Sequence, residues 1–124
     1  DEPRSAIADV NLLLQKKPDA ARAISLRGVA HFATGNLAQA KEDLQRASAI
    51  DPKDPQLWNN LGYFAHKTGD HRSALEAINR ALQLDPEYGK ARDNLRLILE
   101  RESIPAGSGL EPELGAADAS KQEK

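Results

Sequence analysis

Residues 55–88 lie in register over residues 21–54, one 34-residue stretch repeating another. Gly62 falls on Gly28, Gly69 on Gly35, Ala74 on Ala40, Ala81 on Ala47, Asp85 on Asp51 and Pro86 on Pro52. A fixed period of this length, with small residues recurring in register, confines the chain to a row of like units. One such unit cannot bury its own apolar face, so neighbours must stack to make a core.

The unit reads as two helices. Trp58, Leu61, Phe64, Ala65 and Thr68 recur at three- and four-residue spacing and therefore share one side of a helix. Gly69 ends that helix, because glycine takes the left-handed conformation needed just after a helix at no steric cost. Asp70 is placed to cap a second helix whose apolar side is Ala74, Leu75, Ile78, Ala81 and Leu82. So short a link allows only antiparallel packing of the two. Gly62 and Ala74 let the backbones come close, since neither has a side chain to hold them apart. Asp85-Pro86 closes the unit, the residue before a proline being pushed out of the helical region.

The pattern Trp58-x2-Leu61-Gly62 … Ala74-x3-Ile78 … Pro86 resembles the tetratricopeptide repeat (TPR), a helix–turn–helix unit of 34 residues. The resemblance covers residues 6–99. It implies an all-α protein of about six helices, antiparallel hairpins stacked as a short right-handed solenoid.

Taken in order, residues 4–16 form a helix with Ile7, Val10, Leu13 and Leu14 on its apolar side. Pro18 follows it at the interval that separates Pro52 from Pro86, so residues 4–18 read as the second helix of a partial repeat. Residues 21–54 and 55–88 are the two full repeats. Asp19 is expected to cap the helix of residues 21–34, and Asn36 with Gln39 to form a capping box for the next. Asp54 followed by Pro55 is the start signal of the helix after that. A last helix, residues 87–102, matches a first helix, because Asn94-Leu95 fall 34 residues after Asn60-Leu61. Its charged residues Lys90, Arg92, Asp93, Arg96, Glu100 and Arg101 suit a terminal capping helix. Residues 1–102 thus form one repeat domain. Residues 103–124, with Pro105, Gly107, Gly109, Pro112 and Gly115 and no periodicity, are expected to be a disordered tail. A chain that starts at Asp1 and holds no methionine reads as a fragment or a processed form.

Composition narrows the function classes. Apolar residues make up 40% of the 124 and aromatics only 4%, which suits helices stacked side by side better than an enzyme with a deep pocket. A net charge of −2 gives no general attraction to nucleic acid or to anionic membrane, so no nucleic-acid partner is expected. No apolar run reaches spanning length and no signal-peptide pattern is present, so no direct membrane insertion is expected. The absence of cysteine excludes disulfides and thiolate metal sites. The compartment stays open: cytoplasmic, or periplasmic if a signal segment has been removed.

Catalytic signatures are missing. His66 and His71 straddle a turn with Asp70 between them, but they lack the i, i+4 spacing of a helical ligand pair and have no evident third ligand. They read as solvated turn residues, and His31 as a structural histidine. No glycine-rich phosphate loop, nucleophile elbow or paired carboxylates stand out. The chain is read as a non-enzyme without metal or cofactor.

What remains is binding. The resemblance implies that the first helices line a concave groove holding a peptide or protein segment. The candidate groove residues are Val29, Phe32, Asn59, Asn60, Tyr63, Lys67, Lys90 and Asn94, with Arg22, Ser25, Ala33, Gln56, Asp93 and Leu97 at neighbouring groove positions. Helical spacing alone sets Asn59, Tyr63, His66 and Lys67 away from the apolar side of their helix. Asparagine and lysine suit the backbone and carboxylates of an extended peptide. Tyr63 and Phe32 offer flat apolar anchors. Some family members clamp the terminal carboxylate of chaperone tails. Here only Asn60 and Lys90 match that clamp, while Ser25, Val29 and Asn94 depart from it, so chaperone-tail binding is not expected. Arg27 stands where the family usually has leucine, which predicts a small shift in the packing of the first full repeat. His31 and Ala65 take the place of a common aromatic.

A second reading is structural self-assembly. On the helix of residues 4–16, Ile7, Val10 and Leu14 share a stripe while Leu12 projects well away from it. Leaving leucines exposed costs about 1.5–3 kcal/mol each against burial, so a homodimer through residues 4–16 is the alternative expectation.

Overall fold

The computed structural model describes residues 1–102, and the expected tail lies outside the described residues. Six helices follow one another with no strand among the described residues: α1 (Glu2–Lys16), α2 (Ala21–Ala33), α3 (Leu37–Ile50), α4 (Pro55–Lys67), α5 (His71–Leu84) and α6 (Gly89–Glu102).

Local chemistry sets the helix ends. Gly35 and Gly69 hold φ of 85° and 89°, the left-handed conformation in which glycine pays no Cβ penalty. Around each, the chain doubles back on itself: Gly35 N–H donates to Phe32 O and Asn36 N–H to His31 O, as Gly69 donates to His66 O and Asp70 to Ala65 O. These pairs satisfy carbonyls that the helix end would leave without donors. Asp54 accepts from Gln56 N–H at 3.0 Å and Asp70 from Ser73 N–H at 3.1 Å, as capping residues should. Asp1 caps α1 in the same way, through Arg4 N–H.

Two expected caps do not form. The residue before α2 is Ala20, not Asp19, and no side chain caps that end. Asn36 does precede α3, but its amide turns back to donate to Thr34 Oγ1, so the capping box with Gln39 is absent. The last helix also starts later than residue 87. Asp85 Oδ1 accepts from Glu87 N–H and Asp85 O from Tyr88 N–H, and this turn holds the chain out of the helix until Gly89.

The helices pair as α2 with α3 and α4 with α5, α1 packs on α2, and α6 packs on α5 and α4. Glycine sits at each intra-repeat crossing. A Cβ on Gly62 would stand 2.6 Å from Ile78 Cδ1 and 3.3 Å from Ala74 O, and one on Gly28 would stand 2.9 Å from Leu44 Cγ. Ile24, Ala47 and Leu57 form the core where the first repeat meets the second, with Leu14 of α1 packed against it. Ala65, Ala74, Ile78, Ala81, Ala91 and Ile98 form the core beneath α6. Arg96 occupies the place on α6 that Gly28 and Gly62 hold on α2 and α4. Its side chain lies 3.4 Å from Asp93 and 3.8 Å from Glu100.

Arg27 carries its own compensation. Its Nε and Nη2 donate to Asp43 at 2.7 and 2.8 Å, and Nη1 donates to Asn11 Oδ1 at 2.8 Å. One side chain thus links α1, α2 and α3. In the second repeat the same two places hold Leu61 and Ala77, an apolar pair where the first has an ion pair.

Candidate binding face

The helices α2, α4 and α6 touch in succession, so one side of each contributes to a shared face. Its rows follow the 34-residue register: Ser25, Asn59 and Asp93; Leu26, Asn60 and Asn94; Val29, Tyr63 and Leu97. Hydrogen bonds cross between the first two rows. Asn60 Nδ2 donates to Ser25 Oγ, and Asn94 Nδ2 donates to Asn59 Oδ1, each at 2.8 Å. The amides therefore tie neighbouring repeats together as well as lining the face. Asn60 spends a donor on this bond and keeps its Oδ1 as an acceptor.

Of the candidate groove residues, Asn59, Asn60, Tyr63, Lys90 and Asn94 are brought together, with Asp93, around a shallow cleft of about 280 Å³. The Lys67 ammonium stands 5.6 Å from the centre of the Tyr63 ring, close enough for attraction to the ring face. Val29 is exposed at the equivalent place on α2. Phe32 is elsewhere. Its ring meets Phe64 edge to face at 5.5 Å and packs with Ala40 and Leu44, so it belongs to the core between the repeats. His66 sits on α4 where Phe32 sits on α2, and it is buried rather than turned to water. Arg22, at the edge of the face, is held by Asp54 through two bonds of 2.7 and 3.1 Å.

Two groups near this face have shifted electrostatics. The Arg22 guanidinium, bonded to Asp54, holds that carboxyl below the usual carboxylate range against the opposing effect of burial, helped by the Gln56 N–H. Burial pushes the His66 imidazole below its ordinary value, and the positive charge of Arg101 acts in the same direction. His66 and His71 lie with ring centres 6.2 Å apart. Among the described residues no three His, Cys, Asp or Glu side chains are grouped to hold a metal ion. No helix among them is long and apolar enough to cross a membrane.

A larger cleft, about 770 Å³, is on the other side of α4, between α3 and α5. Its floor includes Trp58, Leu61 and Phe64, and its rim mixes Lys41 and Arg80 with Asp70 and Glu76. Trp58 is already committed there. Its Nε1–H donates to Pro52 O at 2.8 Å, and Arg80 stacks 4.9 Å above its ring. Nothing in the linear pattern marks this cleft, since its walls come from two helices 34 residues apart. The apolar row of Val29, Tyr63 and Leu97 was open to discovery from the sequence, because those positions are separated by the repeat length itself.

Comparison with known proteins agrees with this architecture. One tetratricopeptide repeat sequence model matches residues 1–59 and a second matches residues 55–88. Among solved structures, an O-GlcNAc transferase from Thermobaculum terrenum superposes with a TM-score of 0.77 at 28% identity, over 85% of this chain. That match spans only 20% of the transferase. The Sgt2 TPR domain from Aspergillus fumigatus matches at a TM-score of 0.74 and 25% identity, over 80% of this chain and 67% of that one. The first TPR of Spaghetti (RPAP3), solved with the HSP90 peptide SRMEEVD, matches at 0.72 and 21% identity over 80% of this chain and 79% of its own, a likeness of fold. With its period, its paired helices and both sequence models in agreement, the chain belongs to the tetratricopeptide repeat family.

Proposed function

We infer that this chain is a protein–protein interaction scaffold that holds a peptide or protein segment against the face shared by α2, α4 and α6. The observation that carries this is the cleft itself, which gathers Asn59, Asn60, Tyr63, Lys90 and Asn94 from two successive first helices. Asn60 Oδ1 can accept from a peptide N–H, Lys67 and Lys90 can meet carboxylates, and Tyr63 with Val29 supplies apolar contact. Asn59 contributes mainly by positioning Asn94, and Phe32 by supporting the core. The transferase activity named for one structural relative concerns a protein five times as long as the matched part, and nothing on this face calls for it.

The RPAP3 repeat was solved with the HSP90 peptide SRMEEVD, and this chain lacks most of the terminal-carboxylate clamp that some family members use on chaperone tails. Ser25 and Val29 stand in place of the first-repeat cation and amide, and Asn94 in place of an arginine. A segment engaged along its length fits better than a tail held by its terminus. Affinity capture with the parent protein and with the Tyr63→Ala, Lys90→Ala double variant tests the reading. Partners retained by the parent should be lost from the variant; equal recovery from both would refute the use of this face.

A second reading rests on α1. Leu12 is 63% exposed and Leu13 42% exposed on that helix, although Ala47 and Ala81, the residues at the place of Leu13 in α3 and α5, are fully buried. That face would suit a homodimer through residues 4–16. Sedimentation velocity over a concentration series tests it: the sedimentation coefficient should rise with concentration, and a concentration-independent monomer would exclude it.

A further inference from the structure

We propose that the segment held on this face is acidic, runs in a polyproline-II-like conformation and carries an apolar side chain at every third residue. The proposal rests on the groove reading above and adds the chemistry of its occupant. Val29, Tyr63 and Leu97 are 42%, 38% and 44% exposed. They hold the same position on three helices that touch in succession, so they form a row running across the helices, from one repeat to the next. Leu26, also exposed, thickens the row at its α2 end.

The spacing of that row selects the ligand's conformation. Packed helices lie about 8–10 Å apart, so neighbouring members of the row are separated by about that distance. A β-strand returns a side chain to the same side every second residue, after about 6.6 Å, and then after about 13 Å. Neither interval fits. A polyproline-II segment turns once in three residues and advances about 9.3 Å in doing so. It therefore sets residues i, i+3 and i+6 over Val29, Tyr63 and Leu97, its advance falling within that range. Its backbone has no internal hydrogen bonds, which leaves it free to donate to Asn60.

Charge narrows the class further. Lys67 and Lys90 flank the row on its two sides, one over the Tyr63 ring and the other in the cleft. The acidic residue of the cleft, Asp93, lies 3.4 Å from Arg96, so its charge is partly compensated. Carboxylates on the residues between the apolar ones would meet these lysines at a rim where steering matters more than depth.

The experiment compares two fluorescent peptides of identical composition, leucine and glutamate with a few alanines. One carries leucine at every third residue and its isomer at every second; a third peptide replaces the glutamates of the first by lysine. Fluorescence anisotropy is read against the parent protein, Tyr63→Ala and Leu97→Asp, each checked for helicity by circular dichroism. The period-three acidic peptide should bind about tenfold or more tightly than its isomer, a difference of about 1.4 kcal/mol. It should also outbind the lysine version and lose affinity for both variants. If the isomer binds as well while Tyr63→Ala still abolishes binding, the groove reading stands and the spacing proposal is overturned. If peptides bind but ignore both variants, both fail. If none of the three peptides binds, the proposed occupant is wrong.

Discussion

Asn94 donates from Nδ2 to Asn59 Oδ1 at 2.8 Å, repeating one unit further along the bond that joins Asn60 to Ser25. The face that lines the cleft is therefore also a seam. Asn59 is buried, and removing its donor leaves a largely desolvated carbonyl oxygen without its partner. Asn94→Ala should lower stability by about 1–2 kcal/mol, measured by thermal or urea unfolding. Asn60→Ala should cost a similar amount, which makes it a poor probe of binding on its own. An unchanged melt for Asn94→Ala would mean the seam contributes nothing to the stack.

The Arg27–Asp43 pair is the first repeat's substitute for the Leu61 and Ala77 of the second. Arg27→Leu alone strands the buried Asp43 carboxylate and should destabilise by about 3 kcal/mol, the low end for a buried pair because Arg27 keeps some exposure. Adding Asp43→Ala imports the second repeat's apolar pair and should bring stability back to within about 1 kcal/mol of the parent. A double variant as unstable as the single one would show that the ion pair is required for a reason other than mutual compensation.

At the crossing of α4 and α5, Gly62 leaves no room for a methyl group. A Cβ there would lie 2.6 Å from the Cδ1 and 2.7 Å from the Cγ1 of the fully buried Ile78, so that side chain would have to shift within the core. Gly62→Ala should therefore cost about 1–3 kcal/mol despite the better helix propensity of alanine. Combined with Ile78→Val, the loss should be smaller than the sum of the two single changes. Strict additivity in chemical denaturation would place the strain elsewhere.

Asp54 predicts the acid limb of the stability curve. Its folded carboxyl titrates below the unfolded value of about 3.9 because Arg22 bonds to the ionised form. A depressed value stabilises the fold above the unfolded pKa, and that contribution is lost as pH falls through the folded one. Asp54→Asn keeps a capping acceptor for Gln56 but removes the charge. The variant should melt lower than the parent at neutral pH, and the gap should close as pH drops below about 3.9. A gap that persists at lower pH would mean the asparagine disturbs packing rather than charge.

Much of this fold can be read from the period. Gly35 and Gly69 recur one repeat apart and each reverses the chain with positive φ, and Asp54 and Asp70 cap as their place before an apolar-periodic run requires. The errors share a physical origin. Asn36 could donate or accept, and which it does depends on Thr34 across the turn, not on the helix ahead. Phe32 lies one turn along from Val29 at the edge of the apolar face, where a small rotation of α2 decides between groove and core. The burial of Asn59 comes from the stacking of α6 on α4, a relation between repeats that no single-helix pattern encodes. Arg27 looked like a departure because its partner Asp43 is on the next helix. Comparing the two repeats position by position reveals the joint change to Leu61 and Ala77.

The central claim is that partners meet the face of α2, α4 and α6. A photo-crosslinking amino acid at position 63, at the middle of that face, tests it directly against one at position 79, exposed on α5. Each variant is irradiated with the partner recovered by affinity capture on the parent protein. A covalent adduct is expected from position 63 and none from position 79. Adducts from position 79 with none from position 63 would contradict it and move the binding surface to the second helices.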